Sequence, residues 1–328
     1  MSPDDAAPAA MLSVEAAAER LAAGGLVAFP TETVYGLGGD ARSPAALAAI
    51  YREKGRPSDN PLIVHVADRE GARACADGPL SPLAERLMAE FWPGPLTLVV
   101  PRSPRLPPEV SAGLATVALR APAHPVAQRL LRACGLPLAA PSANPSERLS
   151  PTRAEHVLRG LPNLPLILDG GPCPLGLEST VVDLTAPEGP LLLRPGALPL
   201  RRLRQALPDL RLRPPGATGP AASPGLRARH YAPRARVVLV PDVAALALPS
   251  LPAPRGLLCR EGQAPESAGD FAVIESLPAD AEGFGADLFA ALHRLDDAGV
   301  ASIAVVLPPD DEDFAAARDR LQRAAAPG

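Results

Sequence analysis

Short apolar segments typical of buried strands alternate with helical patterns along nearly the whole 328-residue chain. The runs at 26–29, 62–66 and 96–100 are candidate strands, and a helical pattern at 14–23 precedes the first of them. Interleaved strands and helices predict an α/β fold. Forty-three prolines add sharp element ends. The pair Ser43-Pro44, for example, predicts a helix N-cap followed by the first helical residue.

A change in composition near residue 201 predicts a second domain. Residues 201–235 contain eight arginines and one aspartate among many prolines and glycines, so they predict a linker after a short helix. Four apolar runs then predict the buried parallel strands of a smaller Rossmann-like domain: 237–240, 256–259, 271–274 and 303–307. This part contains no G-x-G-x-x-G turn, so we assign it no dinucleotide. The other predicted strands are 116–120, 138–140, 166–169, 180–184 and 191–194, and the other predicted helices end near 53 or span 82–91 and 125–134.

Charge and composition exclude several classes of protein. The net charge is −4, with 25 basic and 21 acidic residues in 1–235 and an acidic excess beyond. An acidic chain with 3% aromatic residues is poorly suited to holding long nucleic acids, whereas the basic part suits a small anionic ligand. The four cysteines show no C-x-x-C spacing, which argues against a zinc site or a disulfide framework. Without a signal-like start or a long apolar run, we expect a cytoplasmic protein outside membranes.

One lysine, Lys54, stands among 32 basic residues, and the others are arginine. We interpret a lysine that persists in such a chain as one whose compact ammonium cannot be replaced by a planar guanidinium. A leftover surface lysine explains this fact equally well. Its position before Gly55-Arg56, in a loop rich in turn formers, is typical of phosphate-binding cations.

Several clusters of polar residues follow predicted strands, where ligand sites of α/β proteins lie. Residues 29–40 combine hydroxyls, a carboxylate and glycines, but no G-K-[ST] follows, so this is not a Walker A loop. Residues 141–144 and 150–152 supply short polar side chains. Ordinary turn chemistry is the alternative for each cluster. Cys173 lies between prolines without an adjacent histidine, which disfavours a nucleophile.

Taken in order, these segments resemble the YrdC-like threonylcarbamoyl-AMP synthase family in its two-domain form. The matching pieces are PTETVYGLG (30–38), KGRPSDNPLIVHV (54–66), FWPGPLTLVV (91–100), TVALRAPAHP (116–125), APSAN (140–144), SPT (150–152), GLESTVVDL (176–184), LRPGAL (193–198), SPG (223–225) and HYAP (230–233). The resemblance implies a twisted mixed sheet with a deep, positively lined cavity. Together with the composition, it divides the chain into an expected disordered tail at 1–12, a YrdC-like catalytic domain at 13–207, a linker or lid at 208–235 and a Rossmann-like domain at 236–328.

The resemblance also implies a reaction in which L-threonine, bicarbonate and ATP give threonylcarbamoyl-adenylate and pyrophosphate, with Mg²⁺ held mainly by the ATP phosphates. Other proteins would then pass the threonylcarbamoyl group to tRNA beside the anticodon. Matching motifs imply catalytic roles for Lys54 and Arg56. They imply threonine contacts from Thr33, His65, Arg120, Ala140, Ser179 and Thr180. They imply ATP contacts from Lys54, Arg56, Asn60, Thr116, Ser142, Asn144, Ser150, Arg194 and Tyr231. No protein ligand is assigned to the metal.

Two other functions remain open at this point. One is O-carbamoyl transfer, as in the related domain of hydrogenase-maturation carbamoyltransferases, although their acylphosphatase-like and zinc-finger segments have no counterpart in this sequence. The other is an RNA-binding factor, against which the acidic charge and the few aromatic residues argue.

Overall fold

A computed structural model describes residues 10–11, 13–164, 166–213, 229–242, 251–265 and 269–327. The strands are β1 (Ala10–Met11), β2 (Val27–Phe29), β3 (Gly36–Asp40), β4 (Ile63–His65), β5 (Leu96–Pro101), β6 (Thr116–Arg120), β7 (Leu138–Ala139), β8 (Leu166–Ile167), β9 (Thr180–Asp183), β10 (Leu191–Arg194), β11 (Arg211–Leu212), β12 (Arg236–Val240), β13 (Arg255–Arg260), β14 (Val273–Leu277) and β15 (Ser302–Val306). The helices are α1 (Val14–Ala22), α2 (Pro44–Lys54), α3 (Arg69–Cys75), α4 (Pro82–Phe91), α5 (Pro125–Cys134), α6 (Ala154–Gly160), α7 (Leu200–Ala206), α8 (Ala281–Asp297) and α9 (Ala315–Ala325).

The main domain is built on a mixed sheet in the order β1-β8-β2-β3-β7-β4-β6-β5-β9-β10-β11. Parallel pairs such as β4 with β6 alternate with antiparallel pairs such as β5 with β6. Its largest apolar core joins α2, α3 and α4 to the sheet through side chains such as Ile50, Leu87 and Leu98. The predicted α/β class and mixed sheet are confirmed.

Helix α2 carries the sequence feature that singles out Lys54. Ser43 caps the helix by accepting a hydrogen bond from the backbone N–H of Ala46, and Pro44 occupies the first turn, as predicted. Gly55 ends the helix with φ of 57°, a left-handed conformation that glycine adopts without strain. The helix therefore ends at Lys54, and the left-handed Gly55 turns the chain into the loop that begins with Arg56.

Strand β3 lies within the cluster at 29–40, where the sequence predicted a turn or a ligand-binding loop after β2 and no second strand. This strand is rich in glycine and contains none of the β-branched residues that favour strands. It forms because β2 pairs with it on one side and β7 on the other. A Cβ atom at Gly38 would lie 2.7 Å from the Phe29 ring, so glycine is needed for this close packing. Tertiary pairing thus overrides the local propensity.

The C-terminal domain has a four-stranded, fully parallel sheet in the order β12-β15-β13-β14, which confirms the Rossmann-like prediction. Helix α8 packs its apolar face, including Phe284 and Phe289, into a core shared with Leu149 and Leu177 of the main domain. The contact is tight, because a Cβ atom at Gly176 would lie 2.1 Å from the carbonyl oxygen of Ala286.

The predicted tail and linker are described in part. Residues 10–11 of the tail form β1, which pairs with β8. Residues 214–228 of the predicted linker, including the SPG motif at 223–225, lie outside the described residues. The end of the linker is described, and Tyr231 within it is 1% exposed. Within the described ranges, no helix is both long and apolar enough to cross a bilayer.

Candidate active site

One edge of the main sheet brings together the ends of four strands. His65, the last residue of β4, is paired with Arg120, the last residue of β6. Thr180 begins β9 beside β5, and Arg194 ends the antiparallel β10. Three of these residues, His65, Arg120 and Arg194, line a cavity of about 50 Å³. Its walls are formed by Thr31, Thr33, Val34, Gly36, Arg56, Ile63, His65, Arg120, Ala140, Pro141, Ser142, Glu178, Ser179, Arg194, His230 and Tyr231.

Three buried guanidinium groups face this cavity, and their backbone contacts fix their positions. Arg194 donates from its NH2 to the Ser179 carbonyl at 2.9 Å and to the Ser179 hydroxyl at 3.2 Å. Arg56 donates to the carbonyls of Asn60 and Pro61 at 3.1 and 2.8 Å. Arg120 is the third. Burial lowers the pKa of Arg194 because it removes the charged guanidinium from water. An anion bound nearby would stabilise that charge.

Arg120 on the cavity wall belongs to a small polar network. Its NH1 donates to the Thr33 hydroxyl at 2.9 Å, and its NH2 lies 2.7 Å from Glu32 Oε1 without the alignment of a hydrogen bond. The side chains of this ion pair are 4% and 7% exposed. The network holds the guanidinium at the cavity wall, with hydrogen-bonding capacity still available to a small carboxylate.

His65 is a neutral imidazole. Burial, and then the nearby charge of Arg120, lower its pKa from 6.5 to about 3. Its Nδ1 atom is buried and has no hydrogen-bond partner among the described residues. A buried nitrogen in this state favours a polar ligand atom nearby. Packing is the ordinary role of a histidine in a strand, but it does not account for this buried nitrogen.

Lys54 is buried at the back of this wall rather than on the cavity surface. Its ammonium donates to the carbonyl of Ser142 at 2.6 Å and also to the carbonyl of Asn144. Burial, and then Arg56, lower the pKa of Lys54 well below its ordinary value. The lysine thus connects helix α2 to the loop that carries Ser142. The alternative interpretation of Lys54 as a leftover surface lysine is wrong.

His230 and Tyr231 close the cavity from the side of the linker. Their rings lie 4.0 Å apart, and Tyr231 has φ of 61°, a strained conformation for a bulky residue. Burial lowers the pKa of His230 well below 6.5, and the charges of Arg56, Lys54 and other cations lower it further. The Tyr231 hydroxyl is buried and has no partner among the described residues.

Sequence reasoning gave no role to Glu178 and did not consider Arg320, although both are part of this wall. Glu178 accepts a hydrogen bond from the Ser150 hydroxyl at 2.5 Å and another from Arg320 at 2.7 Å. Arg320 comes from α9 of the C-terminal domain. One arginine among many carries no sequence signal for such a contact, whereas Glu178 stands next to the Ser179-Thr180 pair and could have been considered.

The predicted site residues fall into two groups. Those on the cavity wall are Thr33, Arg56, His65, Arg120, Ala140, Ser142, Ser179, Arg194 and Tyr231. Those behind the wall or away from it are Lys54, Asn60, Thr116, Asn144, Ser150 and Thr180. Asn144 and Thr180 bond to nearby backbone groups, and Thr116 begins the strand that Arg120 ends. The ligand contacts of both groups stay predictions.

Two further observations concern possible metal ligands and the thiol of Cys173. The described ranges contain no group of three His, Cys, Asp or Glu side chains that could hold a metal ion. Burial raises the pKa of the Cys173 thiol to about 12, which keeps it protonated. The positive cavity is instead suited to binding anions.

Both domains match family models. Residues 19–196 match the Sua5/YciO/YrdC family, whose description is "Telomere recombination". Residues 199–326 match the family described as "Threonylcarbamoyl-AMP synthase, C-terminal domain".

Curated relatives and a solved structure agree with these matches. The threonylcarbamoyl-AMP synthase of Pyrococcus abyssi is 47% identical over 221 residues, which cover 66% of this chain and 64% of that protein. The Bacillus subtilis protein of the same name is 47% identical over 225 residues, covering 65% and 62%. The matched region thus spans less than two thirds of these relatives. The crystal structure of P. abyssi Sua5 complexed with L-threonine has a TM-score of 0.87 at 38% identity, covering 95% of this chain and 94% of that one.

Proposed function

Because the chain belongs to the Sua5/YrdC family, we propose that it joins L-threonine, bicarbonate and ATP into threonylcarbamoyl-adenylate and pyrophosphate. The observation that carries the proposal is the meeting of Arg56, Arg120 and Arg194 around one cavity. The same cavity is lined by His65 and Tyr231, whose Nδ1 and hydroxyl have no hydrogen-bond partner among the described residues. Guanidinium groups bind carboxylates and phosphates, so this cluster supports the binding of an amino acid and a polyphosphate.

Threonine binds beside Arg120 in this proposal. Arg120 takes its carboxylate, sharing the guanidinium with Glu32, and Thr33 and His65 offer short polar contacts. Ala140 and the Ser179-Thr180 pair complete the predicted threonine site. The neutral state of His65 suits the uncharged amine or hydroxyl of the amino acid better than a cation would.

ATP binds in the same cavity in this proposal, beside His230 and Tyr231. Arg56 and Arg194 lie on the cavity wall and would supply charge to the phosphates, and Ser142 lines the same cavity. Lys54 acts on this site through the carbonyls of Ser142 and Asn144. A phosphate nearby would favour the charged form of Lys54. We therefore retain the prediction that Lys54 helps to hold ATP electrostatically. Asn60, Thr116, Asn144, Ser150 and Tyr231 are the remaining predicted ATP contacts.

The chemistry follows from what these groups can hold. The threonine amine adds to CO2, derived from bicarbonate, and releases a proton to give a carbamate. A carbamate oxygen then attacks the α-phosphorus of ATP, the bond to the β-phosphate bridge breaks, and pyrophosphate leaves. Positioned cations stabilise the charge that develops in this displacement. We assign no general base, because the carbamate is already an anionic nucleophile.

The carbamate hydrolyses readily in open water, so we propose that the linker acts as a lid. The cavity, of about 50 Å³, is smaller than the several hundred Å³ of typical pockets for small-molecule ligands. In this proposal, part of its wall moves to admit ATP. His230 and Tyr231 are the linker residues that line the cavity. We therefore propose that these two residues move when ATP enters.

We further propose that Mg²⁺ enters with the ATP phosphates, since both oxygens of Glu178, the carboxylate on the cavity wall, already bond to Ser150 and Arg320. When bound, it would neutralise phosphate charge. The product would pass to proteins that modify tRNA, without stable nucleic-acid binding by this chain. Free cysteines fit a reducing compartment, in keeping with a cytoplasmic location.

A direct assay tests this proposal. The full chain is incubated with MgATP, bicarbonate and threonine, and pyrophosphate release is measured while the adenylate is identified by mass spectrometry. We expect release to require threonine and bicarbonate, and to fall strongly when serine replaces threonine. Release that is independent of threonine would contradict the proposal.

A further inference from the structure

Arg320 of α9 belongs to the C-terminal domain but contacts the wall of the main-domain cavity. Its side chain is 0% exposed. Its Nε donates to Glu178 Oε2 at 2.7 Å, and its NH2 donates to the Pro195 carbonyl at 3.0 Å. Its guanidinium carbon lies 5.0 Å from the centre of the Tyr231 ring, within the range of a cation–π contact.

Each contact leads to a residue of the proposed ATP site. Through Glu178, Arg320 is linked to Ser150, whose hydroxyl donates to the other carboxylate oxygen at 2.5 Å. Pro195 directly follows Arg194 at the end of β10, so holding its carbonyl fixes the strand end that carries Arg194. Tyr231 is contacted directly.

The charge of Arg320 matters as much as its position. Glu178 lies on the cavity wall that the phosphates would approach, and a buried carboxylate without a counter-charge would repel them. Arg320 supplies this counter-charge. Its own position is fixed from the other side by Asp319, which lies 2.5 Å from NH1 and is itself paired with Arg323 at 2.9 Å.

We propose that Arg320 is a positioning residue of the ATP site, through which the C-terminal domain neutralises Glu178 and holds Ser150, Arg194 and Tyr231. This inference rests on the proposed function, because it needs ATP to bind in this cavity. It gives the C-terminal domain a role in nucleotide binding, although none of its described residues lines the cavity.

The test compares Arg320→Met with Arg318→Met, a control on the same helix whose arginine pairs with Asp310 and does not contact the cavity wall. Affinity for a non-hydrolysable ATP analogue with Mg²⁺ is measured by calorimetry, and KM for threonine by pyrophosphate release. We expect Arg320→Met to weaken analogue binding about 10-fold or more, the effect of an unpaired buried charge, with threonine KM within about twofold. The control should stay within about twofold in both measurements.

Rescue separates positioning from folding. Adding Glu178→Gln to Arg320→Met removes the unpaired charge, so the double variant should recover at least about threefold of the lost affinity. If Arg320→Met does not fold, Arg320→Lys serves, since it keeps the charge but cannot reach all three partners and should still bind the analogue several-fold more weakly.

Unchanged affinity in a folded Arg320 variant, an equal loss in Arg318→Met, or no recovery in the double variant would overturn this inference. So would a wild-type chain that does not bind the analogue. A wild-type chain that binds the analogue but makes no pyrophosphate would instead refute the proposed reaction, and the affinity comparison would still decide the role of Arg320.

Discussion

The two domains bury polar side chains in opposite ways. The main domain buries several charged side chains at one edge of its sheet, among them Lys54, Arg56, Arg120 and Arg194. In the described part of the C-terminal domain, the buried polar side chains are Ser302 and Arg320. Ser302 donates to a carbonyl of its own domain at 2.6 Å, whereas Arg320 reaches into the main domain.

This difference is what the proposed function leads us to expect. Burying a charge destabilises a fold unless partners compensate, so a cluster of buried cations is retained where a ligand needs them. The C-terminal domain instead has an apolar core that serves as a platform. Among its described residues, the buried cation is Arg320, which contacts the cavity wall, as expected if the domain supports the site rather than forming it.

The largest expected effect follows removal of a cavity cation. Arg194→Met deletes a group proposed to stabilise the phosphates, so kcat/KM for ATP should fall about 100-fold or more. The matched control is Arg236→Met on β12, where the arginine is exposed. Steady-state pyrophosphate release measures both. If kcat/KM for ATP fell by less than about threefold in Arg194→Met, the buried cations of the main domain would not be explained by ATP binding.

Two core truncations within the C-terminal domain sharpen the comparison. Leu257→Ala and Phe289→Ala should each lower the free energy of unfolding by about 2–5 kcal/mol, because both side chains are fully buried. Phe289 also packs against Tyr231, with ring centres 5.6 Å apart. Urea unfolding should show similar losses, while KM for ATP should rise in Phe289→Ala alone. Equal increases in KM would mean that general loosening, and not the Tyr231 contact, limits ATP binding.

Lys54→Arg tests whether charge or shape matters at the α2 helix end. The ammonium fits between two carbonyls, and a guanidinium there would overpack the site at a cost of about 1–3 kcal/mol. We expect about 10-fold slower adenylate synthesis even though the charge is kept. Arg52→Lys, on an exposed position of the same helix, is the control. Wild-type turnover in Lys54→Arg would show that the compact ammonium is not required.

Sequence patterns predicted the elements better than the contacts. Helices 82–91 and 125–134 and strand 116–120 have the predicted bounds, since their periodicity and proline starts are strong local signals. Strand β3 was missed because its glycines are retained for packing against Phe29.

The candidate site was predicted through its ordered motifs, and nine of its predicted residues do line one cavity. The carbonyl contacts of Lys54 and the reach of Arg320 could not be predicted in the same way. They depend on how a helix end and a second domain pack in three dimensions, and neither arrangement leaves a periodic signal in the sequence.

The interface between the domains should make stability depend on pH. His156 of the main domain stacks on His293 of α8, with ring centres 3.8 Å apart. Burial, followed for His156 by the charges of His293 and Arg159, lowers their pKa values to about 3 and about 4. Both histidines are neutral when folded and gain protons near pH 6.5 when unfolded. Their contribution is therefore present above about pH 6.5 and is lost as the pH falls towards 4, by up to about 1.4 kcal/mol per pH unit for each histidine.

Urea unfolding at several pH values checks this slope. His156→Gln keeps an acceptor for the Thr152 N–H but does not titrate, so its slope between pH 6.5 and 4 should be shallower than that of the wild type. Glu155→Gln, next to it on α6, is the control for a change of charge. An unchanged slope in His156→Gln would mean that other groups cause the acid sensitivity.

The smallest expected effect comes from exposed ion pairs across the same interface. Arg204 of α7 lies 3.1 Å from Glu312, and their side chains are 40% and 50% exposed. Water and salt screen such a pair, so Arg204→Gln should change the free energy of unfolding by less than about 1 kcal/mol and leave KM for ATP unchanged. Arg320 meets Glu178 across this interface too, but without solvent, and its loss leaves a buried charge beside the cavity. If Arg204→Gln weakened ATP binding as much as is expected of Arg320→Met, any loosened contact between the domains would impair the site. The contrast between the buried and the exposed ion pair would then be wrong.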